Sequence, residues 1–400
     1  MCMVRANCWQ KVRSLTTGAE KLVVEGRGDK RLLSLHRPEA ENAFDEQMAE
    51  TFRHHFLSFP SDGVKLVIIK GSADGVFSEG ADASALLRWG EALEERHSEA
   101  SFGKHLYQSL YLLNHSPAPV VTFADGFARN FGTSLARYGR FSVATERTQL
   151  DFSGVHHGLY PHHGSSFYLS RLGNRLGWFL ALAGAQLKGV DAYHTGLCSH
   201  YIPAAKLGDL EEALLAMPDK EIDYTHVSNI LDKFQEESSI PPPSFMDGKL
   251  SFYETAFGSD DPQSIIAQLQ AQKDVPDAAS IAQEILWASP TMVKLTCRVL
   301  AGSQELSLPQ CLRLEYRIDC ALLRAGAHSD PEAGIRWLMT RRGAKRGSEG
   351  SPSWAPAAED EKLAAFFAPL EPAERELRFP QPFPTSAHSP ARHHEAKPIP

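Results

Sequence analysis

Two short β-prone segments at residues 64–70 and 119–123 are each followed by a glycine-bearing loop, at residues 71–80 and 126–132, and no other feature constrains the fold as strongly. Ahead of the first segment, Phe44, Met48, Phe52, Phe56 and Phe59 recur at three- and four-residue steps. That spacing predicts a helix with one apolar face, after a cap expected at Asn42. Earlier still, residues 21–25 and 31–35 flank a turn-forming stretch at 26–30 and read as a hairpin. Strand, helix, strand and helix in succession imply a mainly parallel sheet, so the expected fold class is α/β.

Residues 175–195 and 207–217 read as helices, and a polar, proline-rich stretch at 236–243 marks a connection or subdomain border. Beyond it, residues 261–271, 278–288, 291–301 and 308–327 carry helical periodicity with little strand character, which predicts a helical C-terminal layer. The expected organisation is an N-terminal extension at 1–19, a core at 20–235, a helical region at 236–380 and a Pro/His-rich tail at 381–400. Arg341, Arg342, Lys345 and Arg346 form a basic knot ahead of that tail. The tail is expected to be extended until a partner orders it.

With 400 residues, 42% of them hydrophobic and 22% charged, the chain has the composition of a globular protein with a real core, which excludes wholesale disorder and collagen-like repeats. A formal charge of -8 argues against broad attraction to nucleic acid or anionic membrane, so any RNA contact must be local. The six cysteines include no C-x-x-C and read as reduced intracellular thiols. Residues 1–19 carry Arg5, Lys11 and Arg13 beside Ser14, Thr16 and Thr17, with no acid before Glu20. This reads as a mitochondrial leader, with an ordinary N-terminal extension as the alternative.

Three segments carry a more specific signal. The first is Leu32-Leu33-Ser34-Leu35-His36-Arg37-Pro38, running on to Asn42-Ala43-Phe44. The second is Val67-Ile68-Ile69-Lys70-Gly71 with Val76-Phe77-Ser78-Glu79-Gly80-Ala81-Asp82. The third runs from Val120 to Leu187 through Gly126, Gly132, Ala144-Thr145-Glu146, Gly158-Leu159-Tyr160-Pro161 and Arg171-Leu172. Together they resemble the crotonase superfamily, and within it the 3-hydroxyisobutyryl-CoA hydrolases. The resemblance continues through Ser289-Pro290 and Glu315-Tyr316-Arg317 to Ser351-Pro352-Ser353-Trp354. It implies a crotonase-type ββα spiral core with a helical C-terminal layer.

In that family two backbone N–H groups, one of them at a helix N-terminus, donate to the thioester oxygen as charge develops there. By the resemblance Ala81 holds one donor position in tolerable form. The other loop, G-x-x-x-G-G-G in the family, reads Gly126-Phe127-Ala128-Arg129-Asn130-Phe131-Gly132 here. Only Gly132 survives of the glycine run, and Phe131 stands at the expected donor position. Its ring is expected to fill space an acyl group would otherwise take.

The acid–base positions depart from the family as well. A Glu in its "A-M-P-E-T" segment aligns with Gly154, and an Asp in its "L-F-P-D-V-G-G" segment aligns with His162. A further acid expected before Tyr107 aligns with Leu106. Gly154 can neither accept a proton nor act as a nucleophile. Asp151 and Glu79 are nearby in sequence, and His162 is a conceivable base. Asp151, however, is expected to face away from the lost position along an extended segment. His156, His157, His162 and His163 invite a zinc reading, but adjacent histidine pairs on a loop are not a recognised ligand spacing, so polar loop histidines and no metal are expected.

A hydrolase scaffold without its pocket chemistry implies a binding or structural role. The resemblance includes hydrolase-like proteins that serve as subunits of the mitochondrial ribosomal small subunit. The expectation is therefore an inactive protein of the mitochondrial matrix, without cofactor, in contact with mitochondrial ribosomal proteins. Arg341, Arg342, Lys345 and Arg346 are the candidates for a local contact with ribosomal RNA or a partner. The alternative is an active acyl-CoA hydrolase or hydratase with relocated catalytic groups.

Overall fold

The computed structural model describes residues 10–11, 20–72, 75–94, 101–244, 249–324, 329–340, 352–371 and 375–380. The basic knot at 341–346, the tail at 381–400 and nearly all of the N-terminal extension lie outside them.

The first sheet contains β1 (Gln10–Lys11), β2 (Leu22–Arg27), β3 (Lys30–Leu35), β4 (Leu66–Gly71), β6 (Val120–Ala124), β8 (Phe141–Ala144) and β11 (His200–Tyr201), in the order β1-β2-β3-β4-β6-β8-β11. The first three pair antiparallel, as the expected hairpin requires, and the remaining pairs are parallel. A second sheet, in the order β10-β9-β7-β5, contains β5 (Val76–Ser78), β7 (Phe127–Arg129), β9 (Gln149–Asp151) and β10 (Gln186–Lys188).

Successive side chains of a strand point to opposite faces, so the apolar strands of the first sheet feed two separate cores. Leu66, Ile68, Val121 and Phe123 meet Leu210, Leu214, Val227 and Leu231 of α8 (Leu207–Ala216) and α9 (Tyr224–Glu236). Val67, Ile69, Val120 and Leu33 face the larger core with Phe44, Phe52 and Phe56. Those phenylalanines belong to, or just precede, α1 (Glu46–Ser58). Its cap is not Asn42. Asp45 Oδ1 accepts from Met48 N–H at 2.9 Å, while Asn42 sits earlier in a left-handed turn at φ 55. There its side chain accepts from Arg37 N–H at 2.9 Å and donates to the Phe77 carbonyl at 3.2 Å, tying the turn to β5.

The larger core takes in α2 (Ala83–Glu94), α3 (Ser101–Asn114), α4 (Phe131–Tyr138) and α5 (Ser165–Leu169). The single helix expected over 175–195 is instead α6 (Leu176–Ala183), strand β10 and α7 (Gly189–His194). Gly184 at φ 58 ends α6, and the next residues pair with β9, a break that apolar periodicity does not register. The expected helical layer is α10 (Leu250–Ala256), α11 (Pro262–Ala271), α12 (Ala278–Trp287), α13 (Pro290–Ser303), α14 (Leu308–Leu323), α15 (Ser329–Thr340) and α16 (Asp360–Ala365). Leu295, Leu300, Leu312 and Tyr316 of this layer are buried in the same core as Phe52 and Trp178. No helix among the described residues is long and apolar enough to cross a membrane.

Arg171 fastens the layer to the core. Its guanidinium donates to the carbonyls of Phe167 at 2.7 Å, Ser303 at 3.0 Å and Leu306 at 2.6 Å, and lies 4.1 Å over the Phe167 ring. Removing it orphans the α13–α14 turn carbonyls, and bonds from a charged donor are the stronger kind. Arg171→Ala is expected to lower stability by about 3 kcal/mol. A urea unfolding series checks this as a reduced midpoint at unchanged slope; an unshifted midpoint contradicts it.

Candidate functional site

The loop after β5 and the start of α4 approach each other through glycines. Gly80 adopts φ +99, and a Cβ there would stand 2.4 Å from the Arg129 carbonyl and 3.3 Å from Phe131 N. A Cβ on Gly132 would stand 2.3 Å from the Ser78 carbonyl. Only a bare Cα fits at either place. Phe44 fixes the loop from the other side, its N–H donating to Gly80 O at 2.7 Å and its carbonyl accepting from Asp82 N–H at 2.9 Å. Ala81, bridged to Phe44 between those bonds, is partly buried.

Phe131 is the first residue of α4 and is 0% exposed. Its ring meets Phe44 edge-on at 4.9 Å and His163 edge-on at 5.7 Å between centroids. Asn130 turns the chain into this helix at φ 47. The two candidate donor segments are therefore together, with an aromatic ring packed beside them.

Gly154 lies in the 3-10 turn Ser153–His157, not in an extended segment as expected. A Cβ at Gly154 would lie 3.2 Å from the Tyr160 carbonyl, so this turn is closed tightly on the following loop. Leu106 is buried in α3. His162 is buried too, with Nδ1 3.1 Å from Asp319 Oδ2. All four histidines are buried: His156, His157, His162 and His163 are each under 7% exposed.

The residues missed in the sequence are Glu315 and Asp319 on α14. Both are buried. The signal was an interruption: two carboxylates one turn apart on a helix face otherwise formed by Leu308, Leu312, Tyr316 and Leu322. Glu315 accepts from Gly164 N–H, from Ser166 N–H at 3.0 Å and from Ser166 Oγ at 2.5 Å. Burial nevertheless pushes its carboxyl up to about 7, because those bonds offset only part of the desolvation. Asp319 Oδ2 also accepts from the Tyr107 hydroxyl at 2.6 Å. Burial, reinforced by His162, holds His163 well below the usual imidazole range. The donor atoms of His162, His163 and Asp319 all lie within 4.8 Å of one another.

The other nearby acids face a groove of 910 Å³ bounded by Glu79, Arg129, Asp151, His157, Trp287 and Trp337. Arg129 pairs with Glu79 and, at 3.2 Å, with Asp151, whose second oxygen accepts from Gln186 at 2.7 Å. Burial by itself would raise the Asp151 carboxyl, but Arg129 and the bonds from Ser153 and Gln186 hold it at about 2. An acid so strong is a poor proton acceptor at neutral pH.

Comparison with known proteins places this geometry among relatives. The family described as enoyl-CoA hydratase/isomerase matches residues 30–367. The mitochondrial 3-hydroxyisobutyryl-CoA hydrolase of Homo sapiens is 30% identical over 86% of each chain. That of Mus musculus is 29% identical over 89% of this chain and 91% of its own. A carnitinyl-CoA dehydratase from Mycobacterium thermoresistibile superposes with a TM-score of 0.78 at 28% identity, over 91% of this chain and 100% of its own. An enoyl-CoA hydratase from Rhodobacter sphaeroides shares the fold at a TM-score of 0.75 and 23% identity, over 90% of this chain and 100% of its own.

Two outcomes follow from the packing and charge of the site. Phe131→Ala should cost about 3–5 kcal/mol, the usual range for emptying a buried aromatic position, read as a lower urea midpoint; an unchanged midpoint would show that the ring carries no packing. For Asp151 the sign is set by its folded value of about 2 against an ordinary 3.8. The unfolded chain binds the proton more readily, so the contribution is whole above 3.8 and vanishes as pH falls through about 2. The stability gap between wild type and Asp151→Asn should narrow over that interval in unfolding curves at stepped pH. A gap that stays constant rules out this account of Asp151.

Proposed function

This chain belongs to the enoyl-CoA hydratase/isomerase family of the crotonase superfamily, and we propose that it is a member without thioesterase activity, serving as a structural subunit of the mitochondrial ribosome small subunit. The observation that carries the first half is Phe131: at the position of an oxyanion donor it brings a fully buried ring, wedged between Phe44 and His163. The backbone N–H of Phe131 is retained, so what the ring takes is the space beside the donor, where the resemblance puts glycine so that an acyl group can approach. Gly154 supplies no carboxylate, and Asp151, held at about 2 by Arg129, is no substitute base.

The ribosomal half rests on the resemblance to hydrolase-like small-subunit proteins. The name "mitochondrial" carried by the human and mouse relatives supports the compartment, and the mitochondrial matrix is the location proposed. A net charge of -8 suits contacts made mainly with proteins. Arg341, Arg342, Lys345 and Arg346 are the proposed local contact with ribosomal RNA or a neighbouring subunit.

One observation favours a second reading, a hydrolase with relocated groups: the buried His162–Asp319 pair stands where the family carries its second acid. The two readings separate in one preparation. The purified chain should hydrolyse 3-hydroxyisobutyryl-CoA no faster than buffer, Gly154→Glu should not restore the reaction while Phe131 remains, and the protein in cells should sediment with ribosomal small subunits through a high-salt gradient. Turnover well above the blank, with the protein free of particles, would support the hydrolase instead.

A further inference from the structure

His162 and His163 lie in the loop between the 3-10 turn Ser153–His157 and α5, and every flank of that loop is pinned to the helices around it. The Tyr160 hydroxyl donates to the Glu315 carbonyl at 2.9 Å. Gly164 N–H donates to the Glu315 carboxylate, and the Gly164 carbonyl accepts from the Tyr138 hydroxyl at 2.6 Å. The loop bends sharply at His163, φ 54, and at Gly164, φ 84. The two imidazoles are brought ring against ring, with centroids 3.8 Å apart.

Within this well-bonded surround only one of the four imidazole nitrogens finds a partner, His162 Nδ1 at 3.1 Å from Asp319 Oδ2. His162 is 1% exposed and His163 is 0% exposed. His162 Nε2, His163 Nδ1 and His163 Nε2 have no hydrogen-bond partner. A neutral imidazole carries one N–H and one lone pair, and burying both unmatched, as at His163, forfeits their hydration for nothing. Residues nearby avoid that cost: Glu315, Tyr107 and Tyr160 all find partners. Three orphaned nitrogens beside a carboxylate mark a place prepared for a group that accepts lone pairs.

We propose that His162, His163 and Asp319 bind a divalent transition-metal ion, with zinc the best match, as a structural site joining the 158–164 loop to α14. Two imidazoles and one carboxylate are the donor set of borderline ions such as zinc and cobalt rather than of magnesium or calcium, which prefer oxygen alone. Donor atoms sharing one such ion stand roughly 3–4 Å apart, and those of the three residues already lie within 4.8 Å. Small ring rotations close the difference. Tyr107, donating to Asp319 at 2.6 Å, orients the carboxylate as an outer partner does in known metal sites. Because the site is buried, the ion enters as the chain folds and its binding adds to folding stability. Nothing in this depends on whether the protein hydrolyses thioesters.

The test uses the untagged full-length chain, with zinc and cobalt ions alone as probes. Elemental analysis after gel filtration from zinc-supplemented growth should give about one zinc per chain, and Asp319→Asn and His163→Phe should each lose it while keeping the wild-type circular dichroism. The wild type should melt at a lower temperature after refolding in a strong chelator, and His163→Phe should melt at the same temperature with or without the chelator. Should both variants fail to fold, refolding of the wild type from urea with cobalt must give the visible absorption bands of nitrogen- and oxygen-ligated cobalt. Zinc retained equally by the variants, no zinc in the wild type, or refolding with cobalt without those bands would overturn the site and leave the orphaned nitrogens to buried water.

Discussion

The first turn of α4 lies so close to the end of β5 that no side chain fits between them, and much of the molecule is arranged around that approach. Gly132 against Ser78, and Gly80 against Arg129, bring β5 and β7 of the second sheet and the helix into one junction. A contact between backbones is indifferent to the chemistry carried nearby. The glycines at 80 and 132 therefore answer to packing alone, whatever stands at Phe131, Gly154 and His162. The junction needs bare Cα atoms, and Gly80 and Gly132 supply them.

Two buried carboxyls illustrate how little residue type alone decides. Asp151 is held at about 2 and Glu315 is pushed up to about 7, although both are enclosed and both accept several hydrogen bonds. The difference is a cation. Arg129 stands against Asp151, whereas Glu315 has only neutral donors from Gly164 and Ser166. One acid is thus committed to its ion pair, and the other serves as an anchor for the loop that carries His162 and His163.

Much of the fold was legible because it rests on local pattern: the hairpin, the apolar strands β4 and β6, the phenylalanine face of α1 and most of the C-terminal helices follow from periodicity. The errors have physical causes. Asn42 and Asp45 are both plausible caps, and only tertiary contact with Phe77 assigns Asn42 to a turn. The stretch 175–195 opens on an apolar run over 176–185, and its interruption by β10 depends on pairing with β9. The site was less legible still. The resemblance located Phe131, Gly154 and His162, but the partner of His162 is 157 residues away on another helix, and no local pattern joins them.

That distance has a consequence for the order in which the chain can become itself. During synthesis the strands and α1 emerge first, but Phe52 and Trp178 share their core with Leu300, Leu312 and Tyr316. Until α14 leaves the ribosome making it, the N-terminal half exposes an apolar face with nothing to cover it, and the loop of His162 and His163 lacks Glu315 and Asp319 to hold it. Such a nascent chain is a natural client for a chaperone that shields apolar surface. The fold is completed from its far end, and the last turns to arrive are the ones that lock the first.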